Sequence, residues 1–402
     1  MRTDLYINGG WAPAAAGRRF PVVNPATEEV LCEVSEGDAQ DIDRAVQSAR
    51  GCFESDGWRK LAPRQRGRML AKAADILESR LDEFSKLETQ HNGKPLFESK
   101  IDVSMAIETL RYYGGWADKI VGDTLPLAPN FLTYTLKEPV GVVGAITPWN
   151  FPLNLATWKF APALASGCTV VSKPPSETPL TILLMGEVFE AAGFPAGAFN
   201  VVAGSGRVAG NALVRHPGVD KIAFTGSTEV GKGIMREAAE TVKRVTLELG
   251  GKSPNVIFAD ADIPAAIRGA QNGIFYGKGE VCAAGSRLLV ERKVHDQVVE
   301  ELGARAKKLL PGDPFDQNTR LGAVVSLKQQ QSVLRYIEQG KQEGAELVAG
   351  GNAAQVNGKG FYVEATVFDQ VRPDMTIARE EIFGPVLAVL AFEDVEEGIA
   401  LA

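Results

Sequence analysis

Three short runs carry side chains that could make and break an acyl bond. They are Gly279-Glu280-Val281-Cys282-Ala283-Ala284-Gly285-Ser286-Arg287, Pro148-Trp149-Asn150-Phe151-Pro152 and Leu247-Glu248-Leu249-Gly250-Gly251. A thiol is a nucleophile, a side-chain amide can donate to an oxygen that gains charge, and a carboxylate can take a proton from water. Together they suffice to form a thioester and hydrolyse it. Small residues and glycines flank Cys282, so a substrate could approach closely, and two prolines bracket Asn150 and stiffen its loop. Each residue also has an ordinary reading: an inert cysteine, a turn asparagine, a strand-end carboxylate.

The elements that must position these residues are legible as patterns. From about Asp38 to Lys119 the chain reads as helices, with Ala45, Val46, Ala49 and Phe53 at helical spacing and a second periodic run from Met69 to Leu87. Between Gly122 and Val142, short alternating stretches around Pro126 and Pro129 read as an extended hairpin or arm. Strands and helices then alternate. Val142 to Ile146, Cys168 to Ser172, Phe199 to Val202 and Lys221 to Phe224 are strands, and Pro179 to Ala192 and Thr228 to Ala239 are helices. Repeated units of this kind predict an α/β fold with an open parallel sheet. After Gly251 the cycle restarts: strand Asn255 to Phe258, helix Ile263 to Phe275, strand Arg287 to Glu291 and helix His295 to Leu310. Asp394 and Glu397 have the spacing of a helix capping box.

Composition excludes several function classes. Of 402 residues, 45% are hydrophobic and 23% charged, with a net charge of −7 and no basic block, which argues against a nucleic-acid partner. No apolar run reaches membrane-spanning length and no signal core opens the chain, so a soluble cytoplasmic protein is expected. The four cysteines form no CxxC pair and the three histidines no His-x-x-x-His pattern. Neither a metal site nor a Ser-His-Asp hydrolase is expected.

In order and residue type these segments resemble the NAD(P)-dependent aldehyde dehydrogenase superfamily, in its hydrolytic branch that does not acylate coenzyme A. The resemblance runs from Asn8-Gly9-Gly10-Trp11 to Phe392. It implies a Rossmann-like coenzyme domain over residues 1–121 and 141–250, an oligomerisation arm over 122–140 and a second α/β catalytic domain over 251–402. It also implies roles: Cys282 as the nucleophile, Asn150 with the Cys282 amide as the oxyanion hole, and Glu248 as the base that activates water. Relatives that pass the acyl group to coenzyme A typically lack this glutamate.

For NAD or NADP, the Phe224-Thr225-Gly226-Ser227 turn is similar to the family's coenzyme turn, and Lys173 to the lysine on the adenosine ribose. The same resemblance places Ile146, Thr147, Pro148, Trp149, Gly206, Gly210 and Leu249 at the coenzyme. From Glu380-Glu381-Ile382-Phe383-Gly384-Pro385 it sets Glu381 on the nicotinamide ribose and Phe383 near the nicotinamide. Phe151 and Trp158 match aromatic positions of the substrate tunnel. Ser176 stands where an acidic residue often selects NAD, with Glu177 one place later, which leaves both coenzymes open. The implied substrate is a small-molecule aldehyde and the implied assembly a homodimer or homotetramer. Similar proteins continue past the position of Ala402 with a Gly-rich Pro-Phe-Gly-Gly-type segment and a final strand used in assembly. Two other readings predict different behaviour: a coenzyme-independent cysteine esterase, and an inactive or scaffold form.

Overall fold

The strand Val142–Ile146 is buried at every position, as an unbroken apolar run covered on both faces should be. In the computed structural model, which describes residues 1–402, it lies inside a seven-stranded sheet. The strand order is Arg244–Leu249, Lys221–Gly226, Val142–Ile146, Thr169–Lys173, Phe199–Val201, Leu5–Ile7, Gly10–Ala12. Lys221–Gly226, Val142–Ile146, Thr169–Lys173 and Phe199–Val201 run parallel, with Ile146 level with both Phe224 and Lys173. Leu5–Ile7 and Gly10–Ala12 extend the sheet antiparallel.

The helices Pro152–Ser166, Leu180–Ala192 and Thr228–Ala239 each follow a strand of this sheet. The first two stop at Gly167 and Gly193, which are left-handed with φ of 93° and 91°; only glycine takes that conformation cheaply. The chain steps outward from Val142–Ile146 through two strands, then returns to its other side with Lys221–Gly226. That reversal opens a crevice at the strands' carboxyl ends, where open α/β sheets bind ligands.

The chain divides into two compact units. The first comprises Met1–Val22, Cys32–Glu88 and Lys100–Glu248, and the second Val23–Leu31, Thr89–Ser99 and Leu249–Ala402. The second unit has a five-stranded sheet ordered Pro254–Ile257, Arg287–Glu291, Val386–Phe392, Thr366–Asp369, Glu346–Ala349. The first four strands are parallel and the last is antiparallel. Side chains alternate across this sheet: Leu288 and Val290 pack with Ile267, Ile274 and Leu302, whereas Leu289 packs with Val333 and Ile337.

Several elements differ from the sequence reading. The periodic run from Met69 to Leu87 is two helices, Pro63–Ser79 and Leu81–Asn92, parted at Arg80. Glu248 lies within the strand Arg244–Leu249 rather than after it. Between Phe199–Val201 and Lys221–Gly226, where the sequence reads as a helix running towards Val214, a π-turn, Gly206–Gly210, leads into the short helix Asn211–Arg215. Asp394 does cap a helix, Val395–Leu401, by accepting from the Glu397 N–H at 2.9 Å. The predicted arm is a short hairpin in which Thr124 pairs with Tyr134 and Leu125 with Thr133; Leu127, Phe131, Leu132 and Leu136 are exposed on it. No helix is long and apolar enough to cross a membrane.

Candidate active site

In the first unit the carboxyl ends of three parallel strands gather most of the predicted coenzyme residues. Val142–Ile146 ends at Ile146 and Thr147, Thr169–Lys173 at Lys173, and Lys221–Gly226 at Gly226. Ser227 then caps the helix Thr228–Ala239, its hydroxyl accepting from the Val230 N–H at 3.4 Å. The open N–H groups of such a first turn favour an anion. A Cβ on Gly226 would press on the Phe224 ring, which would have to shift to admit it.

Lys173 is buried, and burial pushes its ammonium down to about 8, while the nearby Glu177 charge pulls it back. Its Nζ donates to the Gly204 carbonyl at 3.3 Å, and the Ser176 hydroxyl reaches the same oxygen at 3.4 Å. An ammonium has three N–H groups, so two remain for a ligand. The Thr147 hydroxyl is buried with no protein partner, and a Cβ at Gly206 would meet only open space. Buried polar groups ordinarily find partners, so this cradle fits the hydroxyls and phosphates of a dinucleotide.

Asn150 is buried just before the helix Pro152–Ser166; Phe151 stands at the N-cap position with no side-chain capping bond, and Pro152 occupies the first helical position, where a missing N–H costs nothing. The Trp149 carbonyl behind it accepts from the Thr178 hydroxyl at 3.3 Å. A groove of about 1120 Å³ in this unit is lined by Trp158, Lys159, Phe224 and Glu248, among mostly apolar neighbours. Phe151 is not among its lining residues. Glu248 is exposed, at the next-to-last position of the strand Arg244–Leu249.

Lys159 is a residue of this unit that sequence reasoning missed. It is buried in the helix Pro152–Ser166 and donates to the Thr225 hydroxyl. Burial pushes it down to about 8, partly opposed by the Glu248 charge. A lysine inside an otherwise apolar run was the available signal, and it reads as a mere interruption. The sign of its effect is fixed. Between about pH 8 and pH 10.5 the unfolded chain holds a proton on Lys159 that the folded chain has shed, so stability rises with pH across that window. The full shift corresponds to on the order of 3 kcal/mol. Lys173 and Lys252, also pushed down to about 8 by burial, add to the same rise. Urea unfolding at the two ends of the window is expected to show a smaller rise for Lys159→Met than for the wild type; an unchanged rise would count against a buried ammonium.

In the second unit Cys282 is exposed in the loop between the helix Ile263–Phe275 and the strand Arg287–Glu291. The approach is unusual: Gly277, Lys278 and Gly279 are all left-handed, with φ of 58°, 61° and 71°. For Lys278 this costs about 1–2 kcal/mol. A Cβ on Gly279 would run into the Gly384 carbonyl, so the thiol loop and the Gly384-Pro385 segment touch backbone to backbone. Phe383 is also left-handed, at φ 59°, and its carbonyl accepts from Gln329 Nε2 at 2.7 Å. Burial raises the Glu381 carboxyl, while the Gly251 N–H and the Lys252 charge hold it back. Its Oε1 is buried and has no protein partner, an acceptor suited to a ligand hydroxyl. Gly250 has no room for a side chain because the Glu381 carboxylate occupies that space.

The chain is similar to known proteins over nearly its whole length. Residues 11–402 match the model of the aldehyde dehydrogenase family. Retinal dehydrogenase 2 of Mus musculus is 49% identical over 403 residues, covering 100% of this chain and 77% of its own length. The mitochondrial aldehyde dehydrogenase of Homo sapiens is 47% identical over 402 residues, covering 99% and 77%. The solved NAD+ complex of an aldehyde dehydrogenase from Bacillus cereus superposes with a TM-score of 0.98 at 49% identity, covering 100% of this chain and 82% of the other. With a matched model spanning nearly the whole chain and the fold reproduced from end to end, the chain belongs to the aldehyde dehydrogenase family.

Proposed function

We propose that this chain oxidises an aldehyde to the carboxylic acid with NAD or NADP, through a thioester on Cys282. The observation that carries the reading is the coenzyme cradle of the first unit: a buried Lys173 ammonium with two N–H groups to spare, an unpartnered Thr147 hydroxyl and the Ser227-capped helix start. Glu381, with an unpartnered buried oxygen, supports it from the second unit's sequence match. Bound there, the coenzyme supplies the acceptor for the hydride that leaves the aldehyde carbon.

The chain's own residues do the rest. The Cys282 thiolate attacks the carbonyl carbon and forms a C–S bond. The oxygen that gains the charge takes hydrogen bonds from the Asn150 amide and the Cys282 N–H. After hydride loss the carbon is a thioester. Glu248 takes a proton from water, the hydroxide adds, and the C–S bond breaks to return the thiolate and release the acid. Ser176 bears no charge that would repel a ribose phosphate, so either coenzyme fits this reading.

The test is the growth of reduced-nicotinamide absorbance with a panel of aldehydes and either coenzyme. Hydrolysis of an ester such as p-nitrophenyl acetate without any coenzyme, together with no coenzyme reduction on any aldehyde, would favour a cysteine esterase instead. Assembly as a homodimer or homotetramer belongs to the same reading and is supported by the exposed Phe131, Leu132 and Leu136 of the hairpin. Light scattering is expected to show the assembly and its loss in Phe131→Ser/Leu132→Ser; a wild-type monomer would remove the hairpin from that role.

A further inference from the structure

The side chains immediately before Cys282 carry charge where charge is costly. Lys278 and Glu280 are each 1% exposed. The Lys278 ammonium donates to the Asn92 carbonyl at 2.9 Å and to Asn92 Oδ1 at 2.7 Å, and stands 2.8 Å from Glu280 Oε2. The other Glu280 oxygen accepts from the Val325 N–H at 3.0 Å, and the Gly277 N–H donates to Glu98 at 3.3 Å. Lys94 and Glu98 are the other charges that act on Lys278. The left-handed run from Gly277 to Gly279 brings ammonium and carboxylate together across one residue.

Two apolar side chains would fill such a space at less cost than a buried ion pair. What an apolar pair could not do is tie this turn, by directed bonds, to Asn92 and Val325 from separate parts of the chain. We infer that the Lys278–Glu280 ion pair is a positioning device for the nucleophile: it holds the left-handed turn and so fixes where the Cys282 thiol and its own N–H stand. The inference rests on the proposed role of Cys282.

Two probes separate placement from mere reactivity. Iodoacetamide alkylates any accessible thiolate. p-Nitrophenyl acetate acylates it: the thiolate forms a C–S bond to the carbonyl carbon and p-nitrophenolate leaves with the electron pair. That step also needs a donor aligned on the oxygen. Both rates are measured at Cys282 by mass spectrometry from about pH 6 to about pH 10. The variants are Lys278→Gln, Glu280→Gln and the double variant Lys278→Met/Glu280→Leu.

Each single variant is expected to lose about tenfold to a hundredfold in acylation, with alkylation within about twofold and an unchanged alkylation pH profile. The double variant, with no buried charge left, is expected to regain its melting temperature but not its acylation rate. An acylation-to-alkylation ratio that stays at the wild-type value, or returns to it in the double variant, overturns the inference and leaves the pair a purely structural one. Cys282→Ala separates this result from failure of the parent reading. If the protein is acylated as fast without that thiol, the nucleophile assignment falls and the inference with it. If acylation is lost there while the charge variants keep their ratio, only the inference falls.

Discussion

Replacing Cys282 with alanine is expected to lower aldehyde oxidation by at least about 10⁴-fold, because removing a covalent nucleophile removes the pathway rather than one interaction along it. No other thiol is placed to substitute. Cys52 and Cys168 are buried, and burial pushes the Cys52 thiol up to about 11. Burial also raises the Cys32 thiol. All three lie in the first unit, whereas Cys282 alone lies in the second. Initial rates of reduced-nicotinamide formation read the effect, with coenzyme binding by fluorescence as the check that the variant is folded. Retained turnover in Cys282→Ala would sink the thioester mechanism.

Glu248→Gln is expected to produce the second largest change, and of a different kind. The thioester should form at close to its normal rate and then wait for water. Loss of a positioned base slows the second half-reaction by about 10²–10⁴-fold. Rapid mixing should therefore show a burst of reduced nicotinamide near one equivalent per chain, followed by a slow phase, and mass spectrometry should find the acyl group on Cys282. A uniform slowing without a burst would place Glu248 in the first step or in support of the fold. The glutamate's charge also opposes the downward push on Lys159, so removing it should take that lysine's titration lower still.

The parallel strands were legible because burial on both faces leaves a continuous apolar run, as in Val142–Ile146 and in Leu288, Leu289 and Val290 of Arg287–Glu291. The helix Ile263–Phe275 was legible from the alternation of strand and helix that restarts after Gly251; its cap, Asp262, accepts from the Ala265 N–H at 3.0 Å. The break at Arg80 was not, because neither Gly nor Pro marks it and both flanking segments are good helix formers. Nor was the grouping of Val23–Leu31 and Thr89–Ser99 with Leu249–Ala402, which depends on contacts between distant parts of the chain. Within the site, glycines and the thiol announced themselves by type. Lys159, Lys278 and Glu280 did not, since charged residues are ordinarily solvated, and only packing shows that these three are buried.

The contact between Gly279 and the Gly384 carbonyl bears on how members of this family can be recombined. The two loops meet through main chain, with no side chain between them to absorb a shift. A chimaera with its crossover between these positions would join loops from different parents at that point, and an insertion in either loop would displace the other. The thiol loop and the Phe383-Gly384-Pro385 loop therefore behave as one heritable block, to be exchanged together.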